Sequence, residues 1–211
     1  MGKRGRDLGK RVFDVTVGTA SLGVAGPFFV LIALLIKLED RGPVLFRQTR
    51  IGRDGRPFEM LKFRTMVTNA WHQRAELDAH NERDSPLFEI ADDPRATRIG
   101  RLLRESKLDE LPQLFNVLSG TMSVVGPRPA LPSEVEQFSA QVRERERIRP
   151  GITCWWQLNS DIDSTFETYE RLDRFYVENW TLTMDARIYF ATVAQLVLFF
   201  RRRILERSTR Q

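Results

Sequence analysis

The longest apolar stretch of the chain runs from Val15 to Ile36 and contains no charged residue. A helix rises about 1.5 Å per residue, so this stretch is long enough to cross the hydrocarbon core of a bilayer. The charged segment Lys37–Asp40 follows it, where a secretory signal peptide would have small residues before its cleavage site. The pattern predicts an N-terminal membrane anchor, and a buried helix of a soluble protein is the alternative.

The dipeptide Gly26-Pro27 lies near the middle of this apolar stretch. Because Pro27 has no N–H group to donate to the carbonyl of Gly23, the helix is expected to break or kink there. Basic residues flank the stretch on both sides, and a simple span would place one basic flank on the wrong side of the membrane. We therefore expect a re-entrant helix, which enters the membrane, bends at Gly26 and Pro27, and returns to the same face.

Two segments with strand propensity, Val44–Gly52 and Pro57–Arg64, flank the turn sequence Asp54-Gly55 and predict a small β-hairpin. The hairpin carries four basic residues: Arg47, Arg50, Lys62 and Arg64. These are either solvated charges that protect an edge strand from aggregation or the parts of a phosphate-binding surface.

Several of the remaining segments have the spacing or composition of helices. They predict helices over residues 97–104, 111–118, 133–148, 166–177 and 188–200, with a further polar helix over 68–84. The element at 188–200 is too short to span a bilayer, so we expect it in the membrane interface or, with equal weight, in the protein core. The predicted fold class is mainly helical α+β, with a re-entrant N-terminal helix, a small β-hairpin and interfacial amphipathic helices.

Asp109 and Glu110 are adjacent carboxylates in a segment that is otherwise apolar and basic. Since Pro112 favours the first turn of a helix, the pair is expected at or near a helix start, where the helix dipole favours anions. An acidic pair held there among arginines can serve as a nucleophile and a metal ligand. The alternative is a pair of solvated acids in which Ser106 and Asp109 form a capping box.

Arg128 is bracketed by Pro127 and Pro129, which stiffen the chain in an extended conformation. A guanidinium that is placed in this way can bind a phosphate through its planar fork. For the Pro-Arg-Pro tripeptide taken alone, a rigid surface loop with a solvated arginine is the alternative.

The composition narrows the kinds of partner and site. With 211 residues the chain has room for one domain of good size, and its net charge of +5 suggests a phosphorylated substrate, anionic lipid or nucleic acid as partner. The single cysteine, Cys154, excludes an internal disulfide, and with two distant histidines it does not make a zinc site. No Gly-rich phosphate loop of the G-x-x-x-x-G-K type is present.

In their order and spacing, the motifs of this chain resemble those of the bacterial sugar transferase family, the monotopic polyprenyl-phosphate phosphoglycosyl transferases. The resemblance extends over nearly the whole length of the chain. It rests on these segments: Lys10–Asp14, Gly42–Gly52, Lys62–Met66, Asp93–Arg104, Leu108–Gln113, Gly126–Pro129, Arg149–Thr153 and Leu172–Trp180, with Asp185.

The resemblance implies a role for each candidate site residue. Asp109 is then a nucleophile that attacks the β-phosphate of a UDP-sugar and forms a covalent phosphosugar ester, while Asp109 and Glu110 hold Mg²⁺. The other positions implied are three substrate-binding cations and the membrane kink: Arg128, Lys62 and Arg64, then Gly26 and Pro27.

The activity implied is transfer of a sugar-1-phosphate to undecaprenyl phosphate with release of UMP, the first membrane step of exopolysaccharide, O-antigen or glycoconjugate synthesis. Residues 1–40 would form the re-entrant anchor and residues 41–211 a cytoplasmic or interfacial catalytic domain, in one structural unit at the cytoplasmic face of the bacterial inner membrane. Mg²⁺ is the expected cofactor. The expected partners are the UDP-sugar, undecaprenyl phosphate and the membrane, without nucleic acid, and a homodimer is left open.

The chain departs from the family pattern in one region. Cys154 stands where the family usually has a second glycine after Gly-Ile-Thr, and Ser160-Asp161 stands where a Gly-Arg pair is common. Loss of a cation there bears on which sugar or nucleotide is accepted. The large N-terminal membrane portion of longer members is absent here, so we expect a minimal member or an excised catalytic domain.

Two other classes of function fit part of the sequence. A non-catalytic membrane-tethered module that binds anionic lipid or nucleic acid explains the anchor and the charge, but gives no role to the acidic pair or the Pro-Arg-Pro turn. A nucleic-acid-binding protein should carry its basic residues in one stripe interleaved with aromatic residues, whereas many of them flank apolar segments here.

Overall fold

A computed structural model describes residues 3–70, 72–73, 77, 80–82, 85–88, 90, 92–159 and 165–208. Helices predominate in this part of the chain, which confirms the mainly helical α+β class. The elements are α1 Lys3–Asp40, β1 Leu45–Ile51, β2 Pro57–Phe63, α2 Arg98–Glu105, α3 Gln113–Ser119, β3 Ser123–Val125, α4 Pro132–Val135, α5 Ala140–Arg143, β4 Gly151–Thr153, α6 Trp155–Asn159, α7 Phe166–Asn179 and α8 Leu182–Ser208.

Strands β1 and β2 pair antiparallel over their full length, which confirms the predicted hairpin. Asp54 and Gly55 make the turn, and both have positive φ. Successive side chains of a strand point to opposite faces, and this alternation separates the two arginines of β1. The side chain of Arg47 is 67% exposed, whereas Arg50 is buried. Only one of these two cations therefore reaches the interior.

Helix α1 contains the predicted anchor and is helical without interruption through Gly26 and Pro27. Only 17% of its apolar window is buried inside the molecule, and Ile32 and Ile36 provide part of that contact by packing near Leu103. The helix does not break at Gly26 and Pro27. A long helix can accommodate a proline by bending, and it then stays helical on both sides. The kink and the re-entrant path stay predictions.

Helix α8 is much longer than its apolar spacing indicated. Its Leu182–Arg203 part is long and apolar enough to cross a membrane, so the expectation that this element is too short to span is wrong. The helix extends in both directions because Leu, Met, Ala and Arg, which flank the apolar run, are good helix formers. Only 11% of its apolar window is buried, which argues against the alternative of a core helix.

The other helices follow the prediction in part. Helices α2, α3 and α7 lie where the sequence pattern placed them. The charged helix expected over 133–148 is instead α4, α5 and a 3-10 turn at Glu144–Arg147, because the Ser139 side chain accepts a hydrogen bond from the Val142 N–H and starts a separate helix. None of the described residues within 68–84 is α-helical, in contrast to the expected helix, and the rest of that segment lies outside the described residues.

Strands β3 and β4 form a short parallel pair that positions the Pro-Arg-Pro turn. The Gly126 N–H donates to the carbonyl oxygen of Thr153 at 3.0 Å, just past the end of β3. A side chain at Gly126 would overlap the carbonyl oxygen of Arg149, so glycine is needed for this close approach of two backbones. The start of the Pro-Arg-Pro turn is thereby fixed to β4.

The N-terminal part of α1 is fastened to the rest of the molecule by two cations. The ammonium group of Lys10 donates to the Val125 carbonyl oxygen at 2.9 Å and to Asp185 at 2.7 Å. Arg11 donates two hydrogen bonds, of 2.6 and 2.7 Å, to carbonyl oxygens at the end of α3. The predicted anchor is thus in direct contact with β3, α3 and α8.

Candidate active site

A cavity of about 550 Å³ lies between the hairpin, the turn that leads into α3 and the Pro-Arg-Pro turn. Among the described residues that line it, seven are cationic and four are carboxylates, an excess of three positive charges. They are Arg50, Lys62, Arg64, Arg95, Arg104, Lys107 and Arg128, with Asp93, Asp109, Glu110 and Glu134. Such an excess suits an anionic ligand.

The five polar residues singled out in the sequence, Asp109, Glu110, Lys62, Arg64 and Arg128, all line this one cavity. They come from three separate parts of the chain, and the fold brings them together. Gly26 and Pro27 lie within α1 and do not line the cavity.

A left-handed residue places the acidic pair. Lys107 has a φ of 56°, which ends the helical path of α2 and leads into a 3-10 turn at Leu108–Glu110. The Ser106 hydroxyl donates to the Leu102 carbonyl oxygen at 2.7 Å, within α2's last turn. The alternative of a capping box made by Ser106 is therefore wrong, since that hydroxyl is used at the end of one helix and not at the start of the next.

Burial and the charge of Lys62 give the carboxyl groups of Asp109 and Glu110 different pKa values. Asp109 is 7% exposed, and the Lys62 nitrogen lies 3.5 Å from its Oδ2 and 2.8 Å from Glu110 Oε1. Burial raises the pKa of Asp109 to about 6 against the opposing effect of the Lys62 charge. Burial acts on Glu110 too, but the charge and hydrogen bond of Lys62, with the charges of Lys107 and Arg128, outweigh it and lower the pKa of Glu110. Asp109 is thus the more basic of the pair.

Lys62 remains a cation in this environment. Burial disfavours its charged form, yet Glu110 and Asp109 together outweigh that effect and raise the pKa of Lys62. Lys62 lies on β2, and the hairpin therefore supplies the charge that balances the acidic pair.

Arg128 extends from the Pro-Arg-Pro turn into the cavity. Its Nη1 group donates to both carboxylate oxygens of Glu134, at 3.3 and 3.4 Å, and its Nε and Nη2 groups make no hydrogen bond to any residue that the structure describes. Burial disfavours its charge, but Glu134, together with Tyr169 and Cys154, outweighs burial and raises the pKa of Arg128. Arg145 supports the turn from behind by donating to the Arg128 carbonyl oxygen, and it pairs with Asp173 at 2.9 Å.

Arg64 lines the cavity but is bound to other parts of the protein. Its guanidinium makes a two-point ion pair with Asp40 at the end of α1, and its Nε donates to the Pro43 carbonyl oxygen. The observed role of Arg64 is to join the anchor helix to the hairpin. Its predicted contact with substrate stays a prediction.

Several charged lining residues were not singled out in the sequence, among them Asp93, Arg95 and Arg104. Arg95 pairs with Asp93 at 2.7 Å, and Arg104 lies 3.6 Å from the same carboxylate while donating to the Ile90 carbonyl oxygen at 3.1 Å. The segment 93–104 contributed to the family resemblance, but its residue spacing gave no means of placing these side chains inside a cavity. The charge of Arg104, five residues before Asp109 on α2, opposes the rise in the pKa of Asp109.

The departure at Cys154 lies next to the cavity wall. Cys154 is 1% exposed, and its N–H donates to the side-chain oxygen of Gln157, a lining residue, at 3.1 Å. Burial raises the pKa of the Cys154 thiol to about 12, so it is neutral at physiological pH. The second departure, Ser160-Asp161, lies outside the described residues.

The acidic pair has oxygen donors of the kind that would hold a magnesium ion together with phosphate oxygens. Within the described ranges no group of three or more His, Cys, Asp or Glu side chains is arranged to hold a metal. Mg²⁺ is commonly bound by one or two carboxylates, with substrate phosphates and water completing its shell. Asp109 and Glu110 supply hard oxygen donors of this kind, and Lys62 balances their charge in the structure.

Comparison with known proteins now decides the family. The model of the family described as bacterial sugar transferase matches residues 5–199. The chain belongs to this family. The match includes most of α1, the hairpin and all the residues that line the cavity, so the acidic pair and the Pro-Arg-Pro turn lie within the part of the chain that matches this family.

The names of similar proteins are consistent with membership of that family. The exopolysaccharide production protein ExoY of Rhizobium meliloti (strain 1021) is 39% identical over 196 residues, which cover 90% of this chain and 86% of the relative. The undecaprenyl-phosphate galactose phosphotransferase of Salmonella typhimurium is 38% identical, over 94% of this chain and 42% of its own. The UDP-glucose:undecaprenyl-phosphate glucose-1-phosphate transferase of Escherichia coli (strain K12) is also 38% identical, over 87% of this chain and 39% of its own. This chain therefore spans most of ExoY but less than half of the longer relatives.

Proposed function

We propose that this chain transfers a sugar-1-phosphate from a UDP-sugar to undecaprenyl phosphate through a covalent aspartyl intermediate. Family membership supports a phosphoglycosyl transfer, and the names of the relatives supply the two substrate classes. The observation that carries the proposal is the buried Asp109 beside Lys62 in a cavity with excess positive charge. A diphosphate ligand offsets most of that charge.

In the first step a carboxylate oxygen of Asp109 attacks the β-phosphorus of the UDP-sugar. A bond forms between this oxygen and the phosphorus, the bond from the phosphorus to the bridging oxygen breaks, and UMP leaves with the electron pair. Burial leaves Asp109 more basic than an exposed aspartate and still mostly ionised at pH 7, which favours attack. Arg128 binds the phosphate oxygens with the N–H groups that Glu134 does not occupy.

In the second step an oxygen of undecaprenyl phosphate attacks the same phosphorus. The bond between the phosphorus and Asp109 breaks, the carboxylate recovers its electron pair, and the product is a polyprenyl diphosphate sugar. Both half-reactions take place at the same phosphorus in the same cavity, with Asp109 as the nucleophile of the first and the leaving group of the second, so the reaction follows a ping-pong sequence in which UMP leaves before the lipid binds.

The residues around Asp109 divide the remaining tasks. Lys62 keeps both carboxylates ionised before substrate binds, and Glu110, with the lower pKa, is the better-ionised donor of the two. Asp109 and Glu110 would hold Mg²⁺, which supplies neutralising charge to the diphosphate and the leaving UMP when it is bound. Arg64 keeps the hairpin, and hence Lys62, fixed to the end of α1.

The acceptor is a membrane lipid, so the cavity has to lie at a membrane surface. In this proposal residues 1–40 form a re-entrant anchor, and residues 41–211 remain on the cytoplasmic face of the bacterial inner membrane. The apolar, mostly exposed α8 lies in the interface, with the basic run Arg201–Arg203 near anionic lipid headgroups. The long exposed face of α1 and its contacts with β3, α3 and α8 support this arrangement.

The test is release of UMP from a panel of UDP-sugars in the presence of a short-chain polyprenyl phosphate. We expect UMP from at least one sugar nucleotide, and background release from Asp109→Asn. The competing function is a non-catalytic membrane-tethered module that binds anionic lipid. It predicts vesicle binding without UMP release from any member of the panel, and that result would replace the transferase proposal.

A further inference from the structure

Arg50 is a buried cation of the cavity to which the proposed mechanism gives no role. It is 8% exposed and lies on β1 opposite the Pro-Arg-Pro turn. Its Nε and Nη2 groups donate to the Gln48 side-chain oxygen at 3.1 and 2.7 Å, and its Nη1 donates to the Pro129 carbonyl oxygen at 2.9 Å. These contacts hold the guanidinium in one orientation.

Arg50 and Arg128 share a single carboxylate. Glu134 is 2% exposed, and its Oε2 lies 3.8 Å from Arg50 Nη1 and 3.3 Å from Arg128 Nη1. The same oxygen also accepts the Leu131 N–H at 2.7 Å, so the position of the carboxylate is fixed. Within the described residues, two buried or half-buried guanidiniums therefore have one carboxylate between them.

The charge of this group is incompletely balanced. Burial and the neighbouring charge of Arg128 lower the pKa of Arg50 to about 9, with Glu134 opposing them in part. Holding a cation in such a place is costly unless further negative charge is supplied. Each terminal nitrogen of Arg50 has two N–H groups, and its described partners use one of each. An anion in the cavity would supply both the charge and the acceptors.

We propose that Arg50 and Arg128 together form a site for the phosphate group of a phosphate monoester, with Gln48 and Glu134 orienting the two guanidiniums. This inference rests on the proposed function and deepens it. In a ping-pong sequence the phosphate of UMP vacates the cavity before the phosphate of the lipid arrives, so one site can serve both. The bidentate geometry of arginine matches the oxygens of such a group.

Arg47 provides a matched control on the same strand. It is also an arginine of β1, but its side chain is 67% exposed and it pairs with Glu59 at 3.4 Å, outside the cavity. Removing either arginine changes the net charge by the same amount. A difference in ligand binding between Arg50→Gln and Arg47→Gln therefore reflects where the arginine lies and not the change in net charge.

The experiment measures binding of UMP to the full chain in detergent by titration calorimetry, with uridine as the phosphate-free comparison. A second arm uses a short-chain polyprenyl phosphate. We expect Arg50→Gln to weaken binding of UMP and of the lipid phosphate about tenfold, as for loss of charge-assisted hydrogen bonds, with uridine binding unchanged. Arg47→Gln should bind both ligands like the wild type.

Comparing the two ligands shows whether the site binds the phosphate of the nucleotide, that of the lipid, or both. Weakening of only one ligand supports a phosphate site and assigns it to the nucleotide or to the lipid, whereas wild-type binding of both by Arg50→Gln overturns the inference. If Arg50→Gln does not fold, Gln48→Leu, which releases the guanidinium, carries the same comparison. If this inference is wrong and the proposed function is right, the wild type still releases UMP in a reaction that depends on Asp109. If the proposed function is wrong, the wild type itself releases no UMP.

Discussion

At the scale of single residues, Asp109 combines burial with an adjacent acid and a lysine. The first two features raise its pKa and the lysine lowers it, so that it is basic for an aspartate and still mostly ionised at pH 7. A solvated aspartate would be a weaker base, and one buried without Lys62 would be neutral. The balance explains how two adjacent carboxylates can take different tasks.

Arg128→Lys should lower turnover by roughly 10- to 100-fold, the effect expected when charge-assisted hydrogen bonds of a planar fork are lost while the charge is kept. The fold should be unaffected, because the Arg128 side chain makes only long hydrogen bonds, to Glu134. Steady-state UMP release at saturating UDP-sugar is the measurement, with Tm as the control for folding. Near-wild-type turnover would return Arg128 to the alternative of a rigid surface loop.

Asp93→Asn should destabilise the protein by about 2 kcal/mol at pH 7, through loss of charged hydrogen bonds from Arg95. Burial opposes ionisation of Asp93, but Arg95 outweighs burial, and the pKa of Asp93 lies below the ordinary 3.8. A carboxylate with a lowered folded-state pKa stabilises the fold above its unfolded pKa and loses that contribution as the pH falls through the folded value. The Tm difference from wild type should therefore be full at pH 7 and shrink below about pH 4. A difference independent of pH would exclude this charge-based account.

The residues of the candidate site were predictable to different degrees. Asp109, Glu110 and Arg128 have unusual neighbours in the sequence, and the fold places all three in one cavity. Arg50 and Arg64 lay in the same predicted basic hairpin, yet one is directed into the cavity and the other pairs with Asp40. Those differences depend on the strand register and on partners that are distant in the sequence. The spacing of residue types along the chain does not reveal either of them.

At the scale of elements, Asn116 fixes the hairpin to the helix that follows the acidic pair. It lies on α3, is 6% exposed, and its amide donates to the Glu59 carbonyl oxygen at 2.7 Å and accepts the Leu61 N–H at 3.0 Å. The side chain thus pairs with the edge of β2 like a neighbouring strand, next to Lys62. We expect this contact to help position Lys62 beside the acidic pair.

Asn116→Asp should reduce turnover, because a carboxylate keeps the Leu61 contact but cannot donate to Glu59. If Asn116 acts by placing Lys62, the loss should be much smaller in a Lys62→Ala background, and a double-mutant cycle measures that coupling. Ser119→Ala is the control, because it removes a hydroxyl that donates to the Asn116 backbone carbonyl and leaves both Asn116 side-chain contacts with β2 in place. Equal losses in both backgrounds would show that Asn116 only stabilises the fold.

The elements that sequence patterns predicted best are those governed by local signals. The hairpin has a turn sequence between two strands, and α2 and α7 have Thr97 and Thr165 as N-caps. The predicted helix ends were wrong where the spacing of apolar residues did not determine where a helix begins or ends. Helix α8 extends into charged residues beyond its apolar run, and Ser139 divides a charged segment that had the composition of one helix.

At the scale of the whole molecule, the cavity is connected to the predicted anchor at both ends of α1. Lys10 contacts β3 and Asp185, and Asp40 pairs with Arg64. Helix α8 contacts α1 through a hydrogen bond of 2.9 Å between Ser21 and Tyr189. The sequence pattern indicated the anchor by its apolar length, whereas these long-range connections became visible only in three dimensions.

Both ends of α1 should face the cytoplasm. Single cysteines introduced as Lys3→Cys and Arg41→Cys should resist a membrane-impermeant maleimide in spheroplasts and react once the membrane is permeabilised. The parent chain is the control, because Cys154 is only 1% exposed. Labelling of Lys3→Cys before permeabilisation would mean that α1 spans the membrane, and it would exclude the re-entrant path.

The central claim is that Asp109 carries the phosphosugar between the two substrates. Its most direct test is intact-protein mass spectrometry after incubation with the UDP-sugar alone, without any lipid acceptor. We predict an added mass equal to a sugar phosphate on the wild-type chain, release of UMP in the same amount, and neither in Asp109→Asn. An unmodified wild-type chain, together with an active Asp109→Asn enzyme that requires both substrates at once, would contradict the covalent mechanism and leave direct attack by the lipid phosphate.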